Sequence, residues 1–234
     1  MRIFESLKDA VNEIERDLHE MGTKVWPETY QDKVVVDDPE FETKELQGYS
    51  YLITRPEMIK PHFVELGGSL TYLEEETLDR INAAWLNPGE SYKERETVWS
   101  QFLHNGKFAY TYNERIRIQL EPIVEQLSLN PNTRQAVISI YDFNRDLPNL
   151  GGKARIPCSM YYQFLIRKRN GINYLDVIYT MRSCDFYTHF IYDVALADEL
   201  RKYIAWVLKL EGGHLTHFIG SLHFYKKDCK KEVF

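Results

Sequence analysis

The feature that most constrains the fold is a pair of aromatic and aliphatic runs in the C-terminal half of the chain. The runs at residues 160–167 and 174–181 are rich in Tyr, Ile, Leu and Val, and the polar segment 168–171, which ends in glycine, separates them. Two runs of this kind joined by a short glycine-containing segment predict paired strands. Any fold for this chain must therefore contain this strand pair.

Helices and further strands are predicted around the pair. Leu7, Ala10 and Ile14 recur at helical spacing, which predicts a helix over Leu7–Met21 that stops at Gly22. The same criteria predict further helices at 73–85, 116–127 and 194–210, strands at 34–36, 49–53, 136–141 and 215–225, and a loop at 144–152. No repeat or linker divides the sequence, so we expect one α+β domain over residues 1–234.

Composition narrows the function classes. With 44% hydrophobic and 14% aromatic residues, the 234-residue chain has ample material for a core. The net charge of −6 argues against a protein that coats nucleic acid, since phosphate binding needs a basic surface. The amino terminus carries no signal-like apolar segment and no run of about 18 apolar residues occurs, so we expect a cytoplasmic protein without a membrane span.

The three cysteines are Cys158, Cys184 and Cys229. This odd, sparse set provides no disulfide framework and no CxxC metal pair, so we expect free thiols and no metal. Cys158 follows Pro157 between a loop and a predicted strand. Arg155 precedes it by three residues, and Arg182 is expected in the next strand region. Positive neighbours lower the pKa of a thiol and favour the nucleophilic thiolate, although a single cysteine is more often a small buried hydrophobic residue.

Two further clusters contain polar side chains at strand ends. Arg182 and Ser183 together suit an oxyanion such as phosphate, and a surface ion pair between Arg182 and Asp185 is the alternative. His223 and Tyr225 fall on one face of the predicted last strand. Such a pair could bind a sugar hydroxyl or merely cover the core.

Five short motifs occur in order along the chain. The first is an Asn-Pro-x-Thr-Arg segment at 130–134, followed by a Pro-Cys turn at 156–158 and a Gln-Phe pair at 163–164. An Arg-Ser-x-Asp segment at 182–185 and a Gly-Ser-x-His-x-Tyr segment at 220–225 complete the set. Together they resemble the thymidylate synthase family, over the region from Trp99 to Tyr225. The resemblance implies a mixed sheet covered by helices and a homodimer. It also implies transfer of a one-carbon unit from 5,10-methylenetetrahydrofolate to C5 of a pyrimidine nucleoside monophosphate.

The resemblance also assigns roles to individual residues. Cys158 would be the nucleophile that adds to C6 of the base, and Tyr112 would be an active-site tyrosine. The general acid–base glutamate would come from the acidic triplet 74–76, with Glu76 favoured and Glu75 as the alternative. Trp99 and Asp185 would face the folate. The residues implied in substrate binding are Arg134, supplied by the partner subunit, with Gln163, Arg182, Ser183, His223 and Tyr225.

The chain departs from the family pattern at four positions. Ser159 stands where the family has His, Gln135 replaces a second phosphate-binding Arg, and Ser221 replaces an Asp. Asp193 stands where thymidylate synthases have the Asn that grips O4 and N3 of uracil.

A carboxyl group at Asp193 suits cytosine better than uracil. The carboxylate accepts from the C4 amino group of cytosine, and a protonated carboxyl can donate to N3, whereas O4 of uracil would meet acceptor against acceptor. The chain therefore resembles the deoxycytidylate hydroxymethylase branch most closely. The alternative is that Asp193 caps a helix that starts near Val194.

The product remains open at this stage. Only nine residues follow Tyr225, so we expect no long tail to close over the folate, which favours capture of water and a hydroxymethyl product. A synthase that methylates dCMP or dUMP is the first alternative, and a non-catalytic relative that binds nucleotide or RNA is the second. The sequence leaves ribose and deoxyribose undistinguished.

Overall fold

A mixed sheet organises the chain, whose structure is a computed structural model described here over residues 1–229. Seven strands form the sheet in the order β1-β5-β9-β8-β7-β6, with β2 beside β5, within the described residues. Their bounds are β1 Arg2–Phe4, β2 Thr23–Val25, β5 Thr43–Ile53, β6 Val137–Ser139, β7 Ser159–Arg169, β8 Ile172–Asp185 and β9 Glu211–Tyr225. A separate hairpin joins β3 Thr29–Tyr30 to β4 Lys33–Val34.

Helices cover the sheet. Within residues 1–229 they are α1 Leu7–Met21, α2 Ile59–Glu65, α3 Leu70–Ile81, α4 Glu96–Trp99, α5 Tyr112–Leu129, α6 Phe143–Asp146 and α7 Phe190–Leu208. Helix α7 packs on β8 and β9, α1 packs on β5, and α5 packs beside β6. Leu18, Phe164 and Phe190 are fully buried in the shared core. The predicted α+β class and the single domain with a mixed sheet are thus confirmed.

The strand pair that opened the sequence analysis is the antiparallel hairpin β7–β8, and the prediction is confirmed. Its turn residues Asn170 and Gly171 have φ values of 52° and 84°, which suits a two-residue turn that requires φ > 0 at both positions. Helix α7 then crosses over to β9, which pairs with β8 in parallel. This register sets Ser183 opposite Ser221 and Asp185 opposite His223.

Helix α1 matches its predicted bounds. Ser6 caps it, because the Ser6 hydroxyl accepts from the Asp9 amide and the Asp9 carboxylate accepts from the Ser6 amide. The Gly22 amide closes the last turn on the Leu18 carbonyl at 3.1 Å. Local capping chemistry explains why the sequence located both ends.

The strand predicted at 34–36 is wrong in extent. Only Lys33–Val34 pairs, and its partner is the two-residue strand Thr29–Tyr30. The Asp37 backbone, with φ of 63°, turns the chain directly after the valine triplet, and Val36 remains 54% exposed. Three β-branched residues without room for a longer ladder do not make a core strand.

Helix α3 and the following loop also differ from expectation. The helix begins at Leu70 and ends at Ile81, before the predicted limit of 85, because the Asn113 side chain caps its end by donating to the Asp79 and Asn82 carbonyls at 2.8 and 2.9 Å. The segment 144–152, predicted as a loop, overlaps α6 and a 3₁₀ turn at Leu147–Asn149. A buried pair between Arg115 and Asp146, 2.7 Å apart, fixes α6 there.

Helix α7 starts four residues before its predicted start. His189 is its N-cap residue, and Lys209, with φ of 56°, ends it in the left-handed conformation. Asp193 therefore lies inside the first turn and is not the capping residue. This shift decides how the Asp193 side chain can be interpreted.

No helix within residues 1–229 is long and apolar enough to cross a membrane. Residues 230–234, on which the expectation about the C-terminal tail partly rests, lie outside the described residues.

Candidate active site

A cavity of about 540 Å³ lies beside the ends of β8 and β9. One wall comes from the sheet and contains Cys158, Arg182, Asp185, His223 and Tyr225; we call it the strand wall. The opposite wall comes from helices and loops and contains Glu76, Arg80, Trp99, Tyr112 and Arg155; we call it the helix wall. Two walls of different construction thus enclose most of the residues singled out from the sequence.

Cys158 is partly exposed to the cavity, just before β7. The Gln31 side-chain amide lies 3.6 Å from its sulfur, and the Arg182 Nη2 atom lies 3.9 Å from it. Gln31 sits at the tip of the β3–β4 hairpin, with φ of 57°. A thiol between an amide and a guanidinium, and open to a cavity, is placed to act as a nucleophile.

Arg182 connects the nucleophile turn with the end of β8. Its guanidinium donates to the Pro157 and Ile156 carbonyls at 2.9 and 3.1 Å. These bonds replace the surface ion pair with Asp185 that was the alternative, since no such pair forms within the described residues. Ser183 follows on the same strand and lines the cavity, so a cation and a hydroxyl are available together.

Asp185 and His223 face each other across the β8–β9 pair. Burial raises the pKa of Asp185 to about 6, although the Thr188 amide donates to the carboxylate. Burial also lowers the pKa of His223 to about 4, so its ring is neutral at pH 7. Tyr225 packs edge-on against the His223 ring at 5.1 Å, which places both polar aromatic residues in the cavity as the alternation of the strand predicted.

Glu76 lies on α3 and is held by two partners. Arg80 donates to one carboxylate oxygen at 2.7 Å, and the Ser91 hydroxyl donates to the other at 2.6 Å. Glu76 lines the cavity, whereas Glu75 does not. This geometry favours Glu76 over Glu75 as the acid–base group.

A chain of hydroxyl groups lies behind the nucleophile turn. The Ser159 hydroxyl is buried and contacts the Tyr112 hydroxyl at 3.0 Å and the Tyr179 hydroxyl. The Arg80 guanidinium stacks over the Tyr112 ring at 4.0 Å and donates to the Tyr162 hydroxyl. Ser159, which stands where the family has His, thus takes part in a hydrogen-bonded network.

Asp193 projects from the first turn of α7 into the cavity. Among residues 1–229, the hydrogen bond recorded for its carboxyl comes from the Cys184 thiol, at 3.6 Å. Burial raises the pKa of Asp193 to about 7, against an opposing effect of the Arg80 cation. Burial also raises the pKa of Cys184, so this second cysteine stays a thiol.

The folate-facing candidates carry unsatisfied polar atoms. The Trp99 Nε1 atom and the Asp185 Oδ2 atom are buried without a hydrogen-bond partner among residues 1–229. The Trp99 ring packs on His189 at 5.3 Å, and burial lowers the pKa of His189 to about 3. An aromatic surface with a free donor and a free acceptor fits a flat, hydrogen-bonding ring such as a pterin.

Two predicted substrate residues do not line the cavity of their own chain. Gln163 alternates with the buried residues Tyr162 and Phe164 on β7, so it faces away from the helix-covered side of the sheet. Its amide donates to the Arg134 carbonyl at 2.8 Å, and the Arg134 side chain is exposed. Both residues therefore belong to the other face of the molecule.

Sequence reasoning missed two cationic residues of the cavity, Arg80 and Arg95, and noted Arg155 only as a positive charge near Cys158. The spacing of Arg80 four residues after Glu76 was an available signal for a helical ion pair. Arg95 and Arg155 come from loop-rich segments, where no periodicity indicates which way a side chain points. The described residues contain no group of three or more His, Cys, Asp or Glu side chains that could hold a metal ion.

Comparison with known proteins agrees with this geometry. The family model described as "Thymidylate synthase" matches residues 7–232. A protein of Methanocaldococcus jannaschii named as a thymidylate synthase is 30% identical over 203 residues, covering 85% of this chain and 83% of that protein. The thymidylate synthase of Streptococcus agalactiae serotype Ia is 28% identical over 137 residues, which cover 55% of this chain and 47% of that enzyme. On these grounds the chain belongs to the thymidylate synthase family.

Proposed function

We propose that this protein transfers a one-carbon unit to C5 of a cytidine monophosphate, dCMP or CMP, and releases the 5-hydroxymethyl nucleotide. Membership in the family supports the coarser activity, which is folate-dependent one-carbon transfer to a pyrimidine nucleotide. The choice of cytosine and of a hydroxymethyl product is the finer part of the proposal. The single observation that carries it is the environment of Asp193.

Three properties of Asp193 support the proposal: it lines the cavity, it does not cap the helix, and its pKa is raised. The residue is not needed as the helix cap, because His189 occupies that position. Its pKa of about 7 means that protonated and ionised forms coexist near neutral pH. The protonated carboxyl can donate to N3 of cytosine while its other oxygen accepts from the C4 amino group. The ionised carboxylate carries the discrimination, because it can accept from the C4 amino group of cytosine but would face O4 of uracil as acceptor against acceptor.

Cys158 supplies the covalent step. Its thiolate forms a bond to C6 of the pyrimidine, and the electron pair of the C5–C6 bond moves to C5, which becomes nucleophilic. The Arg182 guanidinium lies 3.9 Å from the sulfur, and the Gln31 amide contacts the same atom at 3.6 Å. Expulsion of the sulfur at the end of the cycle restores the aromatic base.

Glu76 handles protons on the opposite side of the base. The Arg80 and Ser91 contacts orient its carboxylate toward the cavity and leave it linked to the Tyr112 region through Arg80. A positioned carboxylate can remove the proton that leaves C5 and return protons to departing groups through water. We assign this role to Glu76 and none to Glu75.

The strand wall would hold the nucleotide. Arg182 and Ser183 offer a charge-assisted bond and a hydroxyl to the 5′-phosphate. His223, neutral at pH 7, and Tyr225 offer polar atoms to the sugar from the neighbouring strand.

Methylenetetrahydrofolate, the family's co-substrate, would supply the one-carbon unit when bound. Trp99 and Asp185 would hold it, because each has a buried polar atom with no partner in the part of the chain that the structure describes. After transfer, addition of water at the new C5 substituent gives the hydroxymethyl group, whereas hydride addition gives methyl.

The uncovered face of the sheet supports a homodimer. Tyr161 and Phe218 are 36% and 42% exposed on strands whose opposite face is buried. Gln163 lies on this face and holds the backbone of Arg134 there. We propose that two copies pair through this face and that each Arg134 reaches the phosphate in the partner's cavity. Co-expressed Cys158→Ala and Arg134→Gln subunits should then regain part of the activity that each homodimer lacks.

The substrate proposal is tested with Asp193→Asn. The wild type should favour dCMP over dUMP in kcat/KM by about five- to 100-fold, since a mismatched buried acceptor pair costs about 1–3 kcal/mol. The variant should lose cytosine turnover and gain uracil use. Mass spectrometry of the products separates a gain of CH₂O, expected for hydroxymethyl, from a gain of CH₂ for methyl.

A matched control is Asp37→Asn, an exposed aspartate outside the cavity with φ of 63°, a conformation that Asn tolerates. This variant should keep the wild-type cytosine preference. An unchanged cytosine-to-uracil ratio in Asp193→Asn would remove the basis for the cytosine assignment.

A further inference from the structure

Arg155 occupies an unusual position on the helix wall. It is only 6% exposed and lies three residues before the nucleophile. Its guanidinium carbon is surrounded by four aromatic rings, with centroid distances of 5.0, 4.8, 5.6 and 5.2 Å to Trp99, Phe102, Phe108 and Tyr110. We call this arrangement the arginine cage.

Arg155 has no anionic partner within residues 1–229. No hydrogen bond or ion pair joins its guanidinium to another described residue, and its Nε atom is buried without an acceptor. The other cavity cations are bonded, since Arg80 donates to Glu76, Arg182 to two carbonyl groups and Arg95 to the Thr188 carbonyl. Arg155 is therefore the exception among these guanidinium groups.

The arginine cage provides aromatic contacts for the guanidinium but no hydrogen-bond acceptors for its N–H groups. Aromatic faces attract the delocalised cation through their ring quadrupoles. The N–H groups lie in the plane of the guanidinium and require acceptors, which aromatic carbon does not provide. Burying a charge without such acceptors is costly, so the cavity is poised to gain from a ligand that brings an anionic oxygen to this point.

The location of Arg155 indicates which ligand would bring the anionic oxygen. Arg182 and Ser183 on the strand wall already suit the nucleotide phosphate. Arg155 instead contacts Trp99, the residue assigned above to the folate, in a wall of aromatic rings that suits flat groups. The folate carries two carboxylates on its glutamate end, and a guanidinium matches a carboxylate in a bidentate fashion.

We propose that Arg155 is a carboxylate-recognition residue for the one-carbon donor, distinct from the nucleotide-phosphate site. This inference rests on the proposed folate-dependent function. It makes the arginine cage a specificity-determining element, which selects a donor bearing an anionic end.

The test measures binding by calorimetry with two pairs of probes. The first pair is tetrahydrofolate and its analogue with both glutamate carboxyls converted to amides. The second pair is dCMP and deoxycytidine, and the folate probes are titrated both with and without dCMP. The proteins are the wild type, Arg155→Met, Arg155→Lys and the control Arg117→Gln. Arg117 also stacks on a tryptophan, Trp85 at 5.0 Å, but lies outside the cavity.

Arg155→Met should weaken tetrahydrofolate binding by about 10- to 100-fold, the loss expected for one charge-assisted contact. Binding of the bis-amide should change little, because it offers no carboxylate. Arg155→Lys should fall between Arg155→Met and the wild type, since it keeps the charge without the planar fork. Arg117→Gln should match the wild type throughout.

Several outcomes would overturn the assignment. Equal weakening of tetrahydrofolate and its bis-amide would mean that Arg155 only shapes the cavity. A loss confined to dCMP relative to deoxycytidine would move Arg155 to the phosphate. Failure of the wild type to bind tetrahydrofolate under any condition would overturn the proposed function as well, whereas binding that ignores the carboxylates would overturn this inference alone. If Arg155→Met does not fold, the binding of tetrahydrofolate and its bis-amide is compared between the wild type and Arg155→Lys. Equal weakening of both probes in Arg155→Lys would again overturn the assignment.

Discussion

The two walls of the cavity are held in place by different forces. On the strand wall, backbone pairing fixes the side chains, as when the β8–β9 register sets Asp185 opposite His223. On the helix wall, side chains fix one another, since Arg80 bonds to Glu76 and stacks on Tyr112. A substitution on the strand wall should therefore remove one function locally, whereas one on the helix wall should disturb its neighbours too.

The largest effect is expected at the nucleophile. Cys158→Ala should lower kcat by at least about 1,000-fold, because no other group can form the bond to C6. Nucleotide binding and the thermal unfolding temperature should change little if the strand wall is as independent as its backbone pairing suggests. Single-turnover assays measure the loss of turnover, titration calorimetry measures nucleotide binding, and thermal denaturation measures the unfolding temperature. Cys229→Ala, at a cysteine that does not line the cavity, serves as a thiol control, and residual turnover of a few per cent in Cys158→Ala would contradict the covalent mechanism.

The next effect tests the helix wall. Glu76→Gln should lower kcat by about 100- to 10,000-fold, the range typical of a general acid–base group. It should also raise the mobility of Arg80, whose ion pair is lost, and so change the pH profile of the remaining activity. Glu75→Gln is a matched control on the same helix outside the cavity. Equal losses in the two variants would show that helix stability, and not proton transfer, is being measured.

A smaller effect is expected for the phosphate contact. Arg182→Ala should weaken nucleotide binding by about 1.5–3 kcal/mol, the value of a charge-assisted hydrogen bond. Deoxycytidine, which lacks the phosphate, should bind poorly to the wild type and be indifferent to the substitution. Titration calorimetry with both ligands gives the comparison, and equal sensitivity of nucleoside and nucleotide would argue against a phosphate role.

The smallest effect is expected in the pH dependence of the free energy of unfolding. The pKa of Asp193 is raised from 3.8 to about 7, so its protonated form stabilises the folded state below about pH 4 and this contribution is lost as the pH rises through 7. Asp193→Asn removes this pH dependence. Between pH 5 and pH 8, the free energy of unfolding of the wild type should therefore fall by about 1–3 kcal/mol relative to that of the variant. Denaturant unfolding across this range measures it. Parallel curves for the two proteins would mean that the carboxyl ionises normally.

Alternation along the strands predicts the strand wall directly, whereas the helix-wall residues Glu76, Trp99 and Tyr112 were reached only through the family resemblance. Period-two alternation places His223 and Tyr225 on one face whatever the rest of the chain does, and the structure has both in the cavity. Adjacent helical residues such as Glu75 and Glu76 differ by a rotation that only packing against α5 resolves. For Arg155 there was a charge next to the nucleophile but no signal for its aromatic surroundings, which come from segments distant in sequence.

The first residue of α7 could not be predicted from the sequence either. The apolar pattern predicts a start near Val194, but the structure has the helix begin at Phe190 with the uncharged His189 as its N-cap. A histidine without a side-chain capping bond carries no recognisable start signal. Placing Asp193 in the first turn, and hence in the cavity, required the tertiary structure. Gln163 and Arg134 lie on the face away from the cavity, so their predicted roles in substrate binding depend on the proposed homodimer.

The parallel ladder between β8 and β9 also limits how sequences of this kind can diverge. Ser183 lies opposite Ser221 and Asp185 opposite His223, so inserting or deleting one residue in either strand would exchange the inward and outward sets of side chains. These strands can therefore diverge by substitution more readily than by a change of length. Length variation should accumulate at the Asn170–Gly171 turn, where the two φ > 0 residues face outward and no ladder has to shift.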